Sequence, residues 1–211
     1  MFGTHDLPLF IISGLLLNIA PGPDSILIMT RSAAQGWRAG SAAALGIGTG
    51  TCVHVIAAAL GLSALLATSA LAFTVVKLIG AAYLIYMGLT MLLSRKTSKA
   101  TAVTATPAPL PFGKIFSQGL LTNILNPKVA LFFLAFVPQF IEPHAAHKAL
   151  AFMILGAVFN FNGMLWCHFL ALCSAQAGRR LNIPAPALRW FNRGIGALFL
   201  SFGVRLAFSE R

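Results

Sequence analysis

Six stretches of the chain are apolar almost without interruption: Leu7–Thr30, Ala39–Leu66, Leu71–Leu93, Phe116–Phe140, Ala149–Ala175 and Arg189–Phe208. Each is close to the ~20 residues an α-helix needs to cross the hydrocarbon core of a bilayer. In lipid only helices and closed barrels satisfy their own backbone polar groups. Barrel strands would alternate in polarity over short segments, and these stretches do not. The pattern predicts an all-α membrane protein of six transmembrane helices. The first stretch carries Asp6 rather than a basic leader and is broken by Pro21-Gly22-Pro23, so it reads as a permanent span, not a cleaved signal.

Between the spans the chain turns polar and basic. Ten basic residues fall on one side: Arg31, Arg38, Arg95, Lys96, Lys99, Lys114, Arg179, Arg180, Arg189 and Arg193. The other side holds Lys148, Arg205 and Arg211. Basic residues near span ends stay cytoplasmic, which puts both termini in the periplasm of a bacterial inner membrane. The net charge of +11 therefore faces cytoplasmic water and anionic headgroups, not nucleic acid. With 58% hydrophobic and 9% charged residues, a soluble fold is excluded. Cys52, Cys167 and Cys173 all lie in apolar stretches without a C-x-x-C pair, so they read as packing residues.

The two halves resemble each other. Gly14-Leu15-Leu16-Leu17-Asn18-Ile19 recurs as Gly119-Leu120-Leu121-Thr122-Asn123-Ile124, five of six residues at an offset of 105. Each copy runs into a proline break, Pro21-Gly22-Pro23 in the first and Asn126-Pro127 in the second. Lys77–Leu84 is similarly echoed by Arg193–Leu200. Residues 1–93 and 114–211 thus read as two three-helix repeats joined by a Ser-, Thr-, Pro- and Lys-rich cytoplasmic linker, 94–113. Three is odd, so the second repeat enters the membrane inverted. Secondary transporters of this architecture place their site near the midplane, at discontinuous helices.

The chemistry concentrates at the breaks. Proline removes a backbone donor and clashes with the preceding turn, so helices 1 and 4 should be broken. Asn18, Asn123 and Asn126 are placed to satisfy the freed backbone groups. Asp24, after the first break, is the only acidic residue inside a span. A carboxylate there is expensive to bury and marks a functional position. It suits a proton carrier, a counter-charge for a substrate ammonium, or an N-cap of the second half-helix. Lys128, after the second break, lies ~20 Å along its helix from the cytoplasmic end. It suits a partner for Asp24 or an anchor for a substrate carboxylate. His54 in helix 2 suits a proton relay or an interhelical hydrogen bond. Asn160 and Asn162 in helix 5 suit a path lining or interhelical bonding. Gly46-x-x-x-Gly50 is a close-packing face, and His144-x-x-His147 is a weak metal motif in a loop.

The sequence resembles the LysE/RhtB family of amino-acid exporters, the lysine and homoserine/threonine efflux translocators. The resemblance rests on Asn18-Ile19-Ala20-Pro21-Gly22-Pro23-Asp24, on Gly46 to His54, on Gly80-Ala81-Ala82-Tyr83-Leu84, on Asn123-Ile124-Leu125-Asn126-Pro127-Lys128 and on Phe136-Val137-Pro138-Gln139-Phe140. It implies six helices, no nucleotide-binding domain, a site at the two breaks and efflux driven by the proton gradient. It implies a carrier of a small amino acid, not an enzyme, with no cofactor; homo-oligomerisation is left open. Many relatives carry an acid in helix 5 where this chain has Asn160 and Asn162. That departure favours a neutral, zwitterionic substrate such as homoserine, threonine or a leucine-like amino acid over a cationic one.

Two rivals differ in class. A heavy-metal exporter would need soft ligands that converge; Cys52 with His54, and Cys167, His168 and Cys173, are the only candidates, and i, i+2 positions do not share a helix face. A membrane thiol-redox protein or intramembrane hydrolase lacks C-x-x-C, a pair of acids or a Ser-His constellation. The orientation is checked by single cysteines in a cysteine-free background. A cysteine in 94–113 should react with impermeant maleimide only in inside-out vesicles, and labelling of intact spheroplasts would overturn the inverted arrangement.

Overall fold

The structure, a computed structural model, describes residues 3–62, 70–93, 108–142, 145–177 and 185–208. Among the described residues it is all-helical apart from an isolated bridge between Thr4 and Ile141. Helices α1 (Leu7–Ile19) and α2 (Pro23–Gln35) meet at a bend of 55°. Helix α3 (Trp37–Ala57) ends in a π-helical turn, Ala58–Leu62. Helix α4 is Ala70–Leu93. Helices α5 (Phe112–Ile124) and α6 (Pro127–Leu131) meet at the second bend, 47°, and α6 runs on through a π-helical turn, Phe132–Phe136, and a 3-10 turn, Val137–Phe140. Helices α7 (Lys148–Ala177) and α8 (Ala185–Phe208) complete the chain.

Trp37–Gly61 and Lys148–Gln176 are each long and apolar enough to cross a membrane, and counting each bent pair as one span makes four. Helices α4 and α8 occupy the other two apolar stretches. Both expected breaks are present, and both follow from local chemistry. Pro23 opens α2 behind Gly22, while Asn126 caps α6 by accepting from the Lys128 amide at 3.1 Å, with Pro127 at the first helical position. The first connection is tighter than expected. Helix α2 continues to Gln35 and α3 begins at Trp37, because Gly36 turns the chain in one residue at φ 82°. Arg31, expected in that loop, is therefore a buried helical residue. Of the expected features, most of the linker (94–107), Arg179, Arg180, Arg211, His144 and the end of span 2 (63–66) lie outside the described residues.

Helices α3 and α7 run antiparallel, and so do α4 and α8. Gly40, Gly48 and Val55 of α3 meet Ala171, Met164 and Gly156 of α7 in turn. Gly88 of α4 meets Gly196 and Leu200 of α8, while Ala81 and Ile85 meet Gly203. The start of the first bent pair lies at the end of the second, where the His5 amide donates to the Phe140 carbonyl at 3.1 Å. Its far end lies at the start of α5, where Arg31 donates to Gln118 Oε1 at 2.9 Å.

Helices α3 and α5 approach through small residues. A methyl group on Gly119 would overlap the Ala43 carbonyl, and one on Gly46 would overlap the Phe116 carbonyl. Gly119→Leu should therefore cost ~3 kcal/mol or more and prevent accumulation of folded protein. Gly113→Ala, with nothing within 4 Å of the added carbon, should be neutral. Thermal unfolding in detergent distinguishes them.

Candidate functional site

The site follows from which carbonyls the prolines free. In a helix the amide of residue i bonds the carbonyl of residue i−4, and proline has no amide hydrogen. Pro21 thus leaves the Leu17 carbonyl without its helical donor, and Pro127 leaves that of Asn123. The Asn123 carbonyl accepts from the Asn126 amide at 3.0 Å, and side chains from elsewhere reach both carbonyls. Lys128 Nζ donates to the Leu17 and Ala20 carbonyls, each at 3.1 Å. His54 Nε2 lies 3.0 Å from the Asn123 carbonyl, which can only accept, so Nε2 carries the proton. The His54 ring stacks on Phe133 with 6.4 Å between centroids. The expectation that the asparagines would satisfy the freed backbone holds for Asn126, whose Oδ1 accepts from the Lys128 amide. The freed carbonyls instead meet donors that cross between helices, and the Nδ2 groups of Asn123 and Asn126 serve the carboxylate.

Asp24 sits in the first turn of α2, whose N-cap is Gly22, so it is not the cap. A negative charge is favoured there by the helix dipole. Its Oδ2 accepts from Asn123 Nδ2 at 2.9 Å and from Asn126 Nδ2 at 3.2 Å. Its Oδ1 is buried and has no partner among the described residues. Asp24 and Lys128 do not form a direct ion pair; each reaches across to the other broken helix. Gly22 leaves the room this crossing needs, since a Cβ there would lie 3.2 Å from Lys128 Nζ.

Between the breaks, α3 and α7 is a small cavity of ≈ 30 Å³, room for water rather than an amino acid. Of the expected site residues, Asn18, Asp24, Asn123, Lys128 and Asn160 line it. Pro21, Gly22, Pro23, Asn126 and Pro127 shape the breaks but are not in the lining, and His54 stands behind Asn123. Among the described residues Asn18 Nδ2 is buried without a partner, like Asp24 Oδ1. Asn160 donates to the Gly48 carbonyl and to Cys52 Sγ, each at 3.3 Å. Sequence reasoning missed Thr51, which lies 3.4 Å from Asn123 Oδ1, and the apolar part of the lining: Leu17, Ile47, Val129, Phe159 and Met164. Thr51 had a signal, its i, i+3 spacing to His54. The apolar residues had none, because every span is apolar.

The bundle is packed differently on the two sides of the cavity. Toward the end that holds His5 and Phe140, the rings of Phe10, Phe132, Phe133, Phe136, Phe140 and Phe159 pack with neighbouring centroids as close as 4.7 Å. Toward the other end the core is Ile and Ala. It is tied by Arg31 to Gln118 and by a reciprocal pair in which Gln35 donates to the Leu110 carbonyl and accepts from the Leu110 amide, both at 3.0 Å. Among the described residues no group of three or more His, Cys, Asp or Glu side chains converges as a metal site.

The sequence model of the LysE type translocators matches residues 15–210. The chain is 31% identical to the leucine efflux protein of Salmonella typhimurium, over 98% of this chain and 96% of that one. It is 33% identical to an uncharacterized membrane protein of Pseudomonas aeruginosa, over 97% and 96%, and 31% identical to one of Vibrio cholerae, over 94% of each. No solved structure matches it.

The contact between Asp24 and Asn123 is measurable by a double-mutant cycle. Asn123→Ala should destabilise by ~2–3 kcal/mol, because it strips a donor from a buried carboxylate. In an Asp24→Asn background the same change should cost ~1–2 kcal/mol less. Additive effects on thermal unfolding would show that the two do not interact.

Proposed function

The chain belongs to the LysE type translocators, and on that premise we propose that it is a secondary carrier that exports a neutral, apolar amino acid by proton antiport. The observation that carries the reading is the cavity between the two breaks, with one carboxylate and one ammonium side chain in its lining. The two charges offset each other, which suits a zwitterion better than a cation. Asp24 Oδ1 is an acceptor for the substrate ammonium, and Asn18 Nδ2 is a donor for the substrate carboxylate; both lack a partner among the described residues. Leu17, Ile47, Phe159 and Met164 offer an apolar wall to the side chain. The leucine efflux protein among the relatives supports the same substrate class.

Coupling follows from one oxygen. A proton on Asp24 Oδ1 leaves both amide bonds at Oδ2 in place. Substrate ammonium and proton therefore compete for the same atom, and mutually exclusive binding is what antiport requires. The cavity is too small for an amino acid, so loading requires the packing on one side of it to open. The antiparallel pairing of corresponding helices supports a six-span inverted repeat, in which the two halves exchange conformations around a fixed site. The basic loops then face the cytoplasm of a bacterium and both termini the periplasm.

Overexpression should lower intracellular leucine or a similar amino acid several-fold under dipeptide feeding, and a protonophore should abolish the difference. Asp24→Asn keeps the acceptor oxygen for both asparagines but not the charge. It should accumulate in the membrane at near wild-type level and export at under about a tenth of the wild-type rate, one decade being ~1.4 kcal/mol of coupling lost. Normal export by Asp24→Asn would reduce Asp24 to a structural role, and export undiminished without a proton gradient would contradict the antiport.

A further inference from the structure

The end of α1 has the chemistry of a cation site. Its last turn presents carbonyls without helical donors, at the negative end of the helix dipole. Pro21 removes the amide that would bond the Leu17 carbonyl, and the extended backbone at Gly22 carries the chain away before α2 begins. Two of these oxygens, Leu17 and Ala20, converge on one point at 3.1 Å each. In transporters with discontinuous helices such half-helix ends coordinate sodium or other monovalent cations. Here the point is already held by Lys128 Nζ. The residue at 22 has to be small for it, because a Cβ would stand 3.2 Å from that nitrogen.

We propose that the broken end of α1 is a monovalent-cation site that the chain fills with its own Lys128 ammonium, as a tethered cation. The lysine comes from the opposite break, so its occupancy ties α1 to α6. The bond breaks only when the two half-helices part. A carrier with this tether needs no free sodium at the site. The α-ammonium of a substrate is then left to Asp24, on the other face of the crossing. The assignment does not depend on which amino acid is moved, or on whether one is.

The test is thermal unfolding of the purified protein in potassium-free, sodium-free buffer, titrated with sodium, methylammonium or choline. Lys128→Ala should melt several degrees below wild type and recover saturably in millimolar sodium or methylammonium, with choline, too large for the cradle, without effect. Wild type and Lys128→Met, whose methyl end covers the oxygens, should not respond. A Lys128→Ala protein indifferent to all three cations, or a wild type that responds as strongly, would overturn the proposal. A second measurement covers a Lys128→Ala protein that does not fold. In wild type, acylation of Lys128 by an amine reagent, followed by mass spectrometry, should be at least tenfold slower than that of exposed Lys114. Gly22→Ala, which keeps the lysine but crowds its nitrogen, should raise the Lys128 rate several-fold. Equal labelling of the two lysines in wild type, or no change with Gly22→Ala, would show that the cradle does not hold the ammonium.

Discussion

Backbone carbonyls without amides cannot be left bare at membrane depth, and the rest of this structure is arranged around that constraint. Where water is scarce, an unsatisfied polar group costs several kcal/mol. Pro21 creates such a group at Leu17, and the chain sends Lys128 to it; Pro127 costs the Asn123 carbonyl its helical donor, and that oxygen takes the Asn126 amide and His54 instead. Both side chains arrive from another span. The breaks are therefore clamps as well as interruptions, and the helices they join cannot move independently.

The same crossing settles how one acid and one base coexist in an apolar bundle. A direct ion pair would hold two desolvated charges against each other and little else. Instead the Asp24 carboxylate takes two amide donors from the second break, and the Lys128 ammonium takes two carbonyls from the first. Hydrogen bonds to a charged group are worth about twice those between neutral groups. The arrangement satisfies both charges while leaving Asp24 Oδ1 and Asn18 Nδ2 unused beside the cavity. Those unused atoms, and not the satisfied ones, are where a ligand would find partners.

Packing differs between helix pairs. Gly46 and Gly119 bring α3 and α5 into backbone contact, whereas α1 and α7 are held apart by Phe159 against Gly14. The cavity lies between these contacts, lined by Ile47, Gly48 and Thr51 of α3 and by Phe159, Gly163 and Met164 of α7. The packings on its two sides also differ in kind. One is a cluster of aromatic rings grouped around the widened turn Phe132–Phe136, and the other is a few polar bonds from Arg31 and Gln35. Parting rings exposes apolar surface; parting Arg31 from Gln118 exchanges hydrogen bonds with water. The two steps therefore respond differently to temperature and salt.

Much of this was legible in the residues. Apolar run length decides helices over strands in lipid, and proline decides where those helices break, because both rules are local and depend on the bilayer and the backbone, not on neighbours. The isolated Asp24, Lys128 and His54 marked themselves, since an ionisable residue in an apolar run is costly unless it is used. Their partners were not legible. Asn18, Asn123 and Asn126 have the same side chain, yet two donate to Asp24 and the Nδ2 of the third has no partner among the described residues. Lys128 meets carbonyls rather than a carboxylate, and His54 stands behind the cavity instead of lining it. Side-chain direction around a helix, and the separation of helices set by Gly46, Gly119 and Phe159, decided those contacts. Both are properties of several spans packed together, and an apolar sequence, equally hydrophobic on every face, does not encode which face turns inward.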